Sequence, residues 1–375
     1  MKFKRVLIPA LLSLCVLSLS SCDIMGFIKD NAGIDPSGII NTIPEETYTP
    51  VDIDEDNKDY GYLDLQKYES IKNQLIGLYT DIDNACKEFM NSDRTLAKET
   101  RLVGGSNNDY YIIKDQISYS VYGLTYSEAA AVYKTVTLDR PEYYFLSNTL
   151  LSSTYEIGGS RREYLALVCD PDYYQGSVRQ QYNQQLEAYD ATIKATFTTG
   201  DDILTKIQKI HDYIVTHSQY AFKADGETPD DSSFAHNLLG IVVNQKGVCE
   251  SYAELFQYLL NKNDIYCILV TGDAYDELPA IGEGEAHAWN YVKLNYSIDG
   301  ETVSKWYGFD VTWDDPVPNQ PLPRYTYYGR VDSEFTDSHV PDLSGNLSTG
   351  LSYMYSLPTL ADAPIHNPGG LTFPA

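Results

Sequence analysis

The chain has 375 residues, and its 27 basic against 53 acidic side chains give a formal net charge of −26 at pH 7. Proteins bind the phosphate backbone of nucleic acids through Lys and Arg side chains. This chain is strongly acidic and has no basic stripe, so we expect no nucleic-acid partner. Six cysteines are too few for a disulfide scaffold. Buried free thiols are the default for Cys86, Cys169 and Cys267, with at most one bridge among them.

The first residues have the pattern of an export signal. A basic start, residues 1–5, precedes an apolar run over residues 6–19 that is too short to span a bilayer. The following Leu19-Ser20-Ser21-Cys22 resembles a bacterial lipoprotein box, which implies that residues 1–21 are removed and that Cys22 receives a lipid. We therefore expect an exported protein, anchored by that lipid alone at the outer face of a bacterial membrane. The alternative is an ordinary signal peptide in which Cys22 is incidental.

The residues after the signal predict a tether. Removal of residues 1–21 would leave 24 basic and 53 acidic side chains, a formal charge of −29. Residues 22–60 hold three prolines and an acidic run over residues 52–59, and this composition cannot bury a core. A disordered acidic segment is therefore expected before the folded part. The excess charge could attract cationic groups or simply maintain solubility.

Residues 61–200 predict a mixed region of helices and strands. Apolar residues recur at helical spacing over residues 63–97, which predicts an amphipathic helix with a break. Further on, the pattern predicts strands at 110–122 and 164–169 and helices at 126–138 and 178–196. No catalytic pattern lies in this region.

The next region, residues 201–345, contains the candidate chemistry. It begins with a helix from Asp201, and later Gly247-Val248-Cys249-Glu250 opens a helix that continues to residue 262. Unpaired amides and the positive end of the helix dipole would stabilise a thiolate on Cys249 and could receive an oxyanion. Gly247 permits a close approach just before the thiol. Each of His211, His217 and His236 is interpreted as a surface or internally satisfied histidine.

A predicted hairpin follows the Cys249 helix and a strand at 266–272, with strands at 286–298 and 301–313 and a two-residue turn at Asp299-Gly300. If residues 298 and 301 face each other, His287 lies opposite Thr312 and diagonal to Asp310. Diagonal partners on one face are close enough for an imidazole and a carboxylate to bond across the pleat. The same parity places Trp289 on the face of His287.

Cys249, His287 and Asp310 are the three parts of an activated cysteine nucleophile. The thiolate attacks, the imidazole accepts and returns the proton, and the carboxylate orients the ring. The alternative is a buried thiol, a core histidine and a helix-capping aspartate with no common role. The helix start, the shared sheet face and the chain order together favour the catalytic interpretation.

The phrases around these residues resemble the transglutaminase-like superfamily, which has a papain-like α+β fold. Cys249, His287 and Asp310 match its Cys-helix, His-strand and Asp-strand motifs, and the likeness covers about residues 125–345. The resemblance implies a Cys-bearing helix packed on an antiparallel sheet, here preceded by the mixed α/β region. It also implies attack on an amide carbonyl through a thioester, with no metal or organic cofactor. Tyr220 is the candidate aromatic residue for the oxyanion hole, and Trp289 is a second oxyanion or substrate candidate.

For an exported bacterial protein, hydrolysis of peptide or protein amide bonds is the expected reaction, with a peptide, protein or cell-wall peptide as substrate. Two alternatives stay open: an amine-accepting, cross-linking transglutaminase, and a non-catalytic tethered module that binds peptide or glycan. A runner-up assignment makes His339, in a predicted loop with Asp337 nearby, the base. Residues 346–375 predict an irregular tail, and the sequence does not determine the oligomeric state.

Overall fold

A computed structural model describes residues 17–18, 57–157, 160–275, 284–298, 301–315, 325–342, 355–362 and 364. The predicted lipid site at Cys22, the tether up to residue 56 and the hairpin turn at residues 299–300 lie outside these ranges. The chain divides into two compact units, one of Met1–Val136, Phe145–Arg179 and Gly345–Tyr353, the other of Thr137–Tyr144, Gln180–Ser344 and Met354–Ala375. Residues 137–144 and 180–200 thus group with the second unit, although the sequence places the border at residue 200.

The first unit contains a five-stranded antiparallel sheet. Its strands are β1 (Leu17–Ser18), β2 (Lys98–Val103), β3 (Ser106–Ser118), β4 (Leu146–Ile157) and β5 (Ser160–Cys169). Their order across the sheet is β1-β4-β5-β3-β2, and every neighbouring pair is antiparallel. Sequence patterning missed β2 and β4, because β2 is an almost fully exposed edge strand and β4 is rich in serine and threonine.

Helices of the first unit are α1 (Tyr60–Leu65), α2 (Lys72–Met90), a short 3₁₀ turn (Ser120–Tyr122) and most of α3 (Tyr126–Asp139). The break between α1 and α2 is the one predicted within the amphipathic helix of residues 63–97, but the second helix ends at Met90 and not near residue 97. Residues of α2 three and four apart, such as Leu75, Leu78 and Ile82, are buried together and form its core-facing stripe.

The second unit contains a four-stranded antiparallel sheet and the candidate site. Its strands are β8 (Cys267–Ala274), β9 (Glu285–Ile298), β10 (Glu301–Phe309) and β11 (His339–Pro341), in the order β10-β9-β8-β11. A separate parallel pair joins β6 (Gln219–Tyr220) to β7 (Lys246–Gly247). The helices are most of α4 (Gly176–Lys194), then α5 (Ile203–His217), α6 (Leu239–Asn244), α7 (Cys249–Asn261), α8 (Val311–Asp314) and α9 (Asp332–Phe335).

Helix α7 lies against the sheet of the second unit and contacts β8 and β9. All its residues from Cys249 to Leu260 are buried except Glu254, because one side faces the sheet and the other faces neighbouring helices. Asn290 of β9 fixes this packing, since its side-chain amide donates to the carbonyl of Ala253 at 3.0 Å. The predicted α+β class, with a Cys-bearing helix on an antiparallel sheet, is confirmed.

The β9–β10 register is the one worked out from the sequence. Pairs run from Glu301↔Ile298 to Phe309↔Asn290 without a shift. The second strand ends at Phe309, however, and not at residue 313. The chain turns into α8 there, because the Asp310 side chain caps the helix by accepting the amides of Thr312 and Trp313. The predicted pairing of His287 with Thr312 is therefore wrong, although the diagonal contact with Asp310 exists.

Two segments near the C-terminus pack on the second unit in ways the sequence did not predict. The loop expected around His339 is the edge strand β11, which pairs with β8 through His339↔Ala274 and Pro341↔Gly272. Residues 355–362 have no helix or extended strand, yet Leu360 is buried and bridges to Trp306. The predicted tail thus contributes to the core of this unit.

Among the described residues, no helix combines the length and the apolar character needed to cross a bilayer. The four cysteines in the same part of the chain, Cys86, Cys169, Cys249 and Cys267, are all buried and unpaired. The default of buried thiols, stated for Cys86, Cys169 and Cys267, agrees with their burial.

Candidate active site

Cys249 is the first residue of α7, directly after the extended cap residue Val248. The neighbouring strand pair places Tyr220 beside Gly247, two positions before the thiol. A Cβ on Gly247 would overlap the Ser251 side chain, so only glycine allows the chain to pass this close to the first turn of the helix. Cys249 is 6% exposed, which leaves the thiol at the edge of the core.

His287 extends from β9 towards both candidate partners. Its Nε2 lies 2.7 Å from Asp310 Oδ2, and Cys249 is near enough to raise the pKa of the ring. With Nε2 engaged by the carboxylate, Nδ1 is the ring nitrogen left to serve the thiol. The side chain of His287 is 8% exposed, so the bond to Asp310 is shielded from water.

Asp310 is buried and holds four hydrogen bonds. Its Oδ1 accepts the amides of Thr312 at 3.0 Å and Trp313 at 3.1 Å, which fixes the carboxylate to the start of α8. Its Oδ2 accepts from His287 Nε2 at 2.7 Å and from His339 Nε2 at 3.1 Å. The residue is thus both a helix cap and a histidine partner, two roles that the sequence treated as alternatives.

Electrostatics favour a protonated ring at His287. Burial alone would lower its pKa, but the charge and hydrogen bond of Asp310, followed by the contact with Cys249, raise the pKa of His287 from 6.5 to about 10. Burial alone would raise the pKa of Asp310, but His287, and then His339, hold it well below the usual value. The arrangement can therefore keep an imidazolium beside the Asp310 carboxylate.

An aromatic shell surrounds the histidine pair. The ring of Trp313 lies 5.1 Å from that of His287, and the ring of Trp289 is stacked on it at 6.2 Å. Trp289 is completely buried, and its ring also contacts His339 at 5.1 Å. The side chain packs against the two histidines, and the predicted substrate or oxyanion contact of Trp289 stays a prediction.

Tyr220 is half-buried and next to the thiol-bearing segment. Its ring lies 5.0 Å from that of Phe222, which is 40% exposed, so the two rings lie together on the segment that pairs with Gly247. The backbone amide of Ala221, between them, donates to the carbonyl of Gly247 at 2.9 Å. This position suits the predicted oxyanion role of Tyr220, which stays a prediction.

His339 is the residue of this cluster that the sequence assigned differently. Its Nε2 faces Asp310, whereas Asp337, its suggested partner, is exposed. Recognition of the β8–β11 pairing would have identified it, because that pairing places residue 339 in the sheet beside β8. A three-residue edge strand gives too short a pattern for such an inference.

His287, Asp310 and His339 form the group of described residues that could hold a metal ion, since one ligand atom from each lies within 4.8 Å of the others. Two imidazoles and a carboxylate are suitable ligands for zinc or iron. In this arrangement both Nε2 atoms already meet the same carboxylate oxygen through hydrogen bonds. The short distances among these three side chains are therefore explained by two N–H···O hydrogen bonds.

Two other polar pairs flank the start of α7. His236 Nδ1 contacts Glu250 Oε2, which ties residue 236 to the residue after the thiol. Tyr252, three residues after Cys249, donates its hydroxyl to Asp315 just after α8. Burial raises the pKa of Asp315 to about 6, while the bond from Tyr252 opposes that rise. Neither pair was identified from the sequence, because each joins residues far apart in the chain.

His211 is satisfied internally, as predicted. It is fully buried in α5, with Nδ1 3.0 Å from Asp212 Oδ1 and Nε2 3.2 Å from Asp314 Oδ2. Burial opposes protonation, but the two carboxylates raise the pKa of His211 above its usual value. The His211–Asp314 contact joins α5 to the end of α8, the helix that Asp310 caps.

A family model matches the part of the chain that contains these residues. Residues 190–311, which include Cys249, His287 and Asp310, match the Transglutaminase-like superfamily. No curated protein matches the chain.

Several solved structures show a weak similarity. A structure of a TGase has 16% identity and a TM-score of 0.27, with 46% of each chain covered. A candidate cysteine protease from Cytophaga hutchinsonii has 17% identity and a TM-score of 0.24, over 43% of this chain and 61% of that one. The periplasmic domain of TgpA from Pseudomonas aeruginosa, bound to ethylmercury, has 11% identity and a TM-score of 0.24, over 44% and 71%. The chain thus spans about half the length of the first of these structures. Residues 190–311 are thus similar to the core of the transglutaminase-like superfamily.

Proposed function

We propose that this protein is a cysteine acyl-transfer enzyme that hydrolyses peptide or protein amide bonds. The observation that supports the proposal is the 2.7 Å bond between His287 and the buried Asp310, with Cys249 at the start of α7 near enough to affect the pKa of the same ring. A nucleophile, a base in contact with it and an acid that orients the base are the elements of covalent acyl transfer.

In the proposed reaction the Cys249 sulfur attacks the amide carbonyl, and His287 gives its Nδ1 proton to the departing amine. The C–N bond breaks, and the acyl group stays on sulfur as a thioester. Water then attacks the thioester carbonyl while His287 removes a proton from that water. The C–S bond breaks, which releases a carboxylic acid and restores the thiol–imidazole pair. Asp310 keeps Nε2 protonated throughout, so that Nδ1 always faces the sulfur.

The developing oxyanion requires donors near the sulfur. Backbone amides at the start of α7 surround Cys249, and the positive end of the helix dipole lies at the same place. Tyr220, beside Gly247, is the proposed side-chain contribution. A Tyr220→Phe variant should lose activity only if the hydroxyl takes part, because the phenyl ring preserves the packing against Phe222.

We also propose that the protein acts outside the cytoplasm, attached through a lipid on Cys22. The basic and apolar residues 1–19 and the following Ser-Ser-Cys support this proposal. A peptide, protein or cell-wall peptide substrate would then be reached from the membrane surface. Metabolic labelling with a fatty-acid analogue should mark the wild type and not a Cys22→Ala variant.

A screen of peptide amides with mass detection of thioester adducts tests the enzyme proposal. We expect an acyl adduct on Cys249 and release of the carboxylic acid, both lost in Cys249→Ala. Cys267→Ala is the matched control, because burial raises the pKa of Cys267 far above its usual value and makes that thiol inert. Iodoacetamide should likewise modify Cys249 far faster than Cys86, Cys169 or Cys267.

The competing functions are outcomes of the same screen. Transfer of the acyl group to an added lysine analogue in preference to water would identify the amine-accepting transglutaminase. Equal, slow labelling of all four thiols, with no adduct on any amide, would reject the enzyme and favour a binding module. Turnover that survives in Cys249→Ala would reject the assigned nucleophile.

A further inference from the structure

Asp310 bonds to two histidines, whereas the proposed reaction requires one. Both His287 and His339 direct Nε2 at Oδ2, at 2.7 and 3.1 Å, and the opposite oxygen is occupied by backbone amides. A carboxylate that is 1% exposed accepts all four bonds. The second imidazole therefore acts on the same oxygen that orients the first.

His339 has little freedom to point elsewhere. It is 0% exposed, and its ring stacks on Phe335 with 4.0 Å between centroids and 11° between planes. Its Nδ1 lies 2.9 Å from Ser338 Oγ, and its backbone pairs with Ala274 in β8. Because Nδ1 contacts the Ser338 hydroxyl and the ring is packed among aromatic side chains, Nε2 is held towards Asp310.

A second donor on one carboxylate oxygen has two effects. It fixes the direction of the oxygen, because two bonds to Oδ2 and two to Oδ1 leave no rotation about the side chain. It also spreads the negative charge over two rings, so that the charge holds the His287 proton less strongly. Proton donation to a leaving amine requires an imidazolium that is not too weak an acid.

We propose that His339 is a positioning residue. It keeps the Asp310 carboxylate aligned with His287, and it weakens the hydrogen bond through which Asp310 holds the proton of His287. This inference rests on the proposed acyl-transfer function. The groups that face His287 are Cys249 from α7, Asp310 from the start of α8 and His339 from β11. The titratable neighbours of His339 are Asp310, His287 and the ring of Tyr327, which lies 5.4 Å away.

Two substitutions of His339 test the hydrogen-bond donor and the aromatic ring of this residue separately. His339→Phe keeps an aromatic ring on Phe335 and removes the donor, whereas His339→Gln loses the ring and can place an amide near the position of Nε2. In His339→Phe we expect kcat to fall about tenfold with KM unchanged, and the alkaline limb of the kcat/KM profile to move to higher pH. His339→Gln should recover most of the activity and the wild-type pH profile.

Phe335→Leu is the structural control, because it loosens the packing on the ring and leaves the His339–Asp310 bond in place. It should lower the melting temperature without moving the pH profile. The inference is overturned if His339→Phe loses activity only in proportion to its folded fraction, or if Phe335→Leu moves the profile equally.

A measurement on the unmutated chain covers the case in which His339→Phe does not fold. In protein labelled with ¹⁵N-histidine, the ¹⁵N spectrum near neutral pH should show that Nε2 of His339 carries a proton, as its hydrogen bond to Asp310 requires. An unprotonated Nε2 would overturn the inference. Wild-type protein that neither turns over nor labels rapidly at Cys249 would instead reject the proposed function.

Discussion

Replacement of Asp310 by asparagine should abolish turnover and leave the protein folded. The asparagine Oδ1 can still accept the amides of Thr312 and Trp313, so the cap of α8 survives. Its Nδ2 then faces the two imidazoles, which must both present an unprotonated Nε2. In that tautomer His287 directs an N–H at the sulfur of Cys249 and cannot take the thiol proton.

The size of the loss follows from the electrostatics of His287. Asp310 and Cys249 together raise the pKa of His287 from 6.5 to about 10, against the effect of burial. Asp310 is the larger of the two causes of that rise. Without the carboxylate charge, burial dominates and lowers the pKa of His287 below its usual value, so the neutral ring prevails at pH 7. Because that ring is also in the wrong tautomer, we expect kcat/KM to fall by about 10³–10⁴-fold.

The assay compares Asp310→Asn with Asp310→Ala in turnover, iodoacetamide labelling and urea unfolding. Both variants should lose turnover, while the alanine variant should also be about 1 kcal/mol less stable than the asparagine variant, because it lacks the cap. An Asp310→Asn protein with more than about a tenth of wild-type kcat/KM would refute the assignment of Asp310. Equal stability of the two variants would refute the capping role.

The remaining predictions concern stability. Because the pKa of His287 is raised from 6.5 to about 10, its stabilising contribution is complete below pH 6.5 and is lost as the pH rises through 10; thermal melts should show this loss in the wild type and much less of it in Asp310→Asn. Gly247→Ala places a methyl group against Ser251 and should cost about 1–3 kcal/mol in urea unfolding, and a Gly247→Ala/Ser251→Gly protein that recovers none of this would contradict a steric cause. His211→Phe leaves Asp314 buried without its partner and should cost about 3 kcal/mol, whereas His211→Phe/Asp314→Asn should regain part of it; no difference between the two would show that the charge is unimportant.

The local features of the site could be predicted because each depends on neighbouring residues. A glycine before a helical apolar pattern predicted Cys249 at the start of α7, and the two-residue turn fixed the β9–β10 register that brings Asp310 near His287. Residue 310 was placed in a strand because Val311, Thr312 and Trp313 have high strand propensity. The carboxylate overrides this propensity, since it accepts two amides and begins a helix.

The features that the sequence did not predict depend on contacts between distant segments. His339 reaches Asp310 only because β11 pairs with β8, two strands separated by more than sixty residues of chain. Tyr252 and Asp315 meet because α7 packs against α8. Trp289 was assigned correctly to the face of His287, yet parity cannot distinguish the solvent side of a sheet from the side covered by other elements.

The shortness of β11 has a consequence for the dynamics of the site. Its three residues lie at the edge of the sheet, and opening them breaks few backbone bonds. Such an opening would carry the second imidazole away from the carboxylate, while β9 and α7, held by longer contacts, would stay in place. Amide hydrogen exchange should therefore be faster at His339 and Val340 than in β9, and the equilibrium of that local opening sets how often the site works with one ring in place of two.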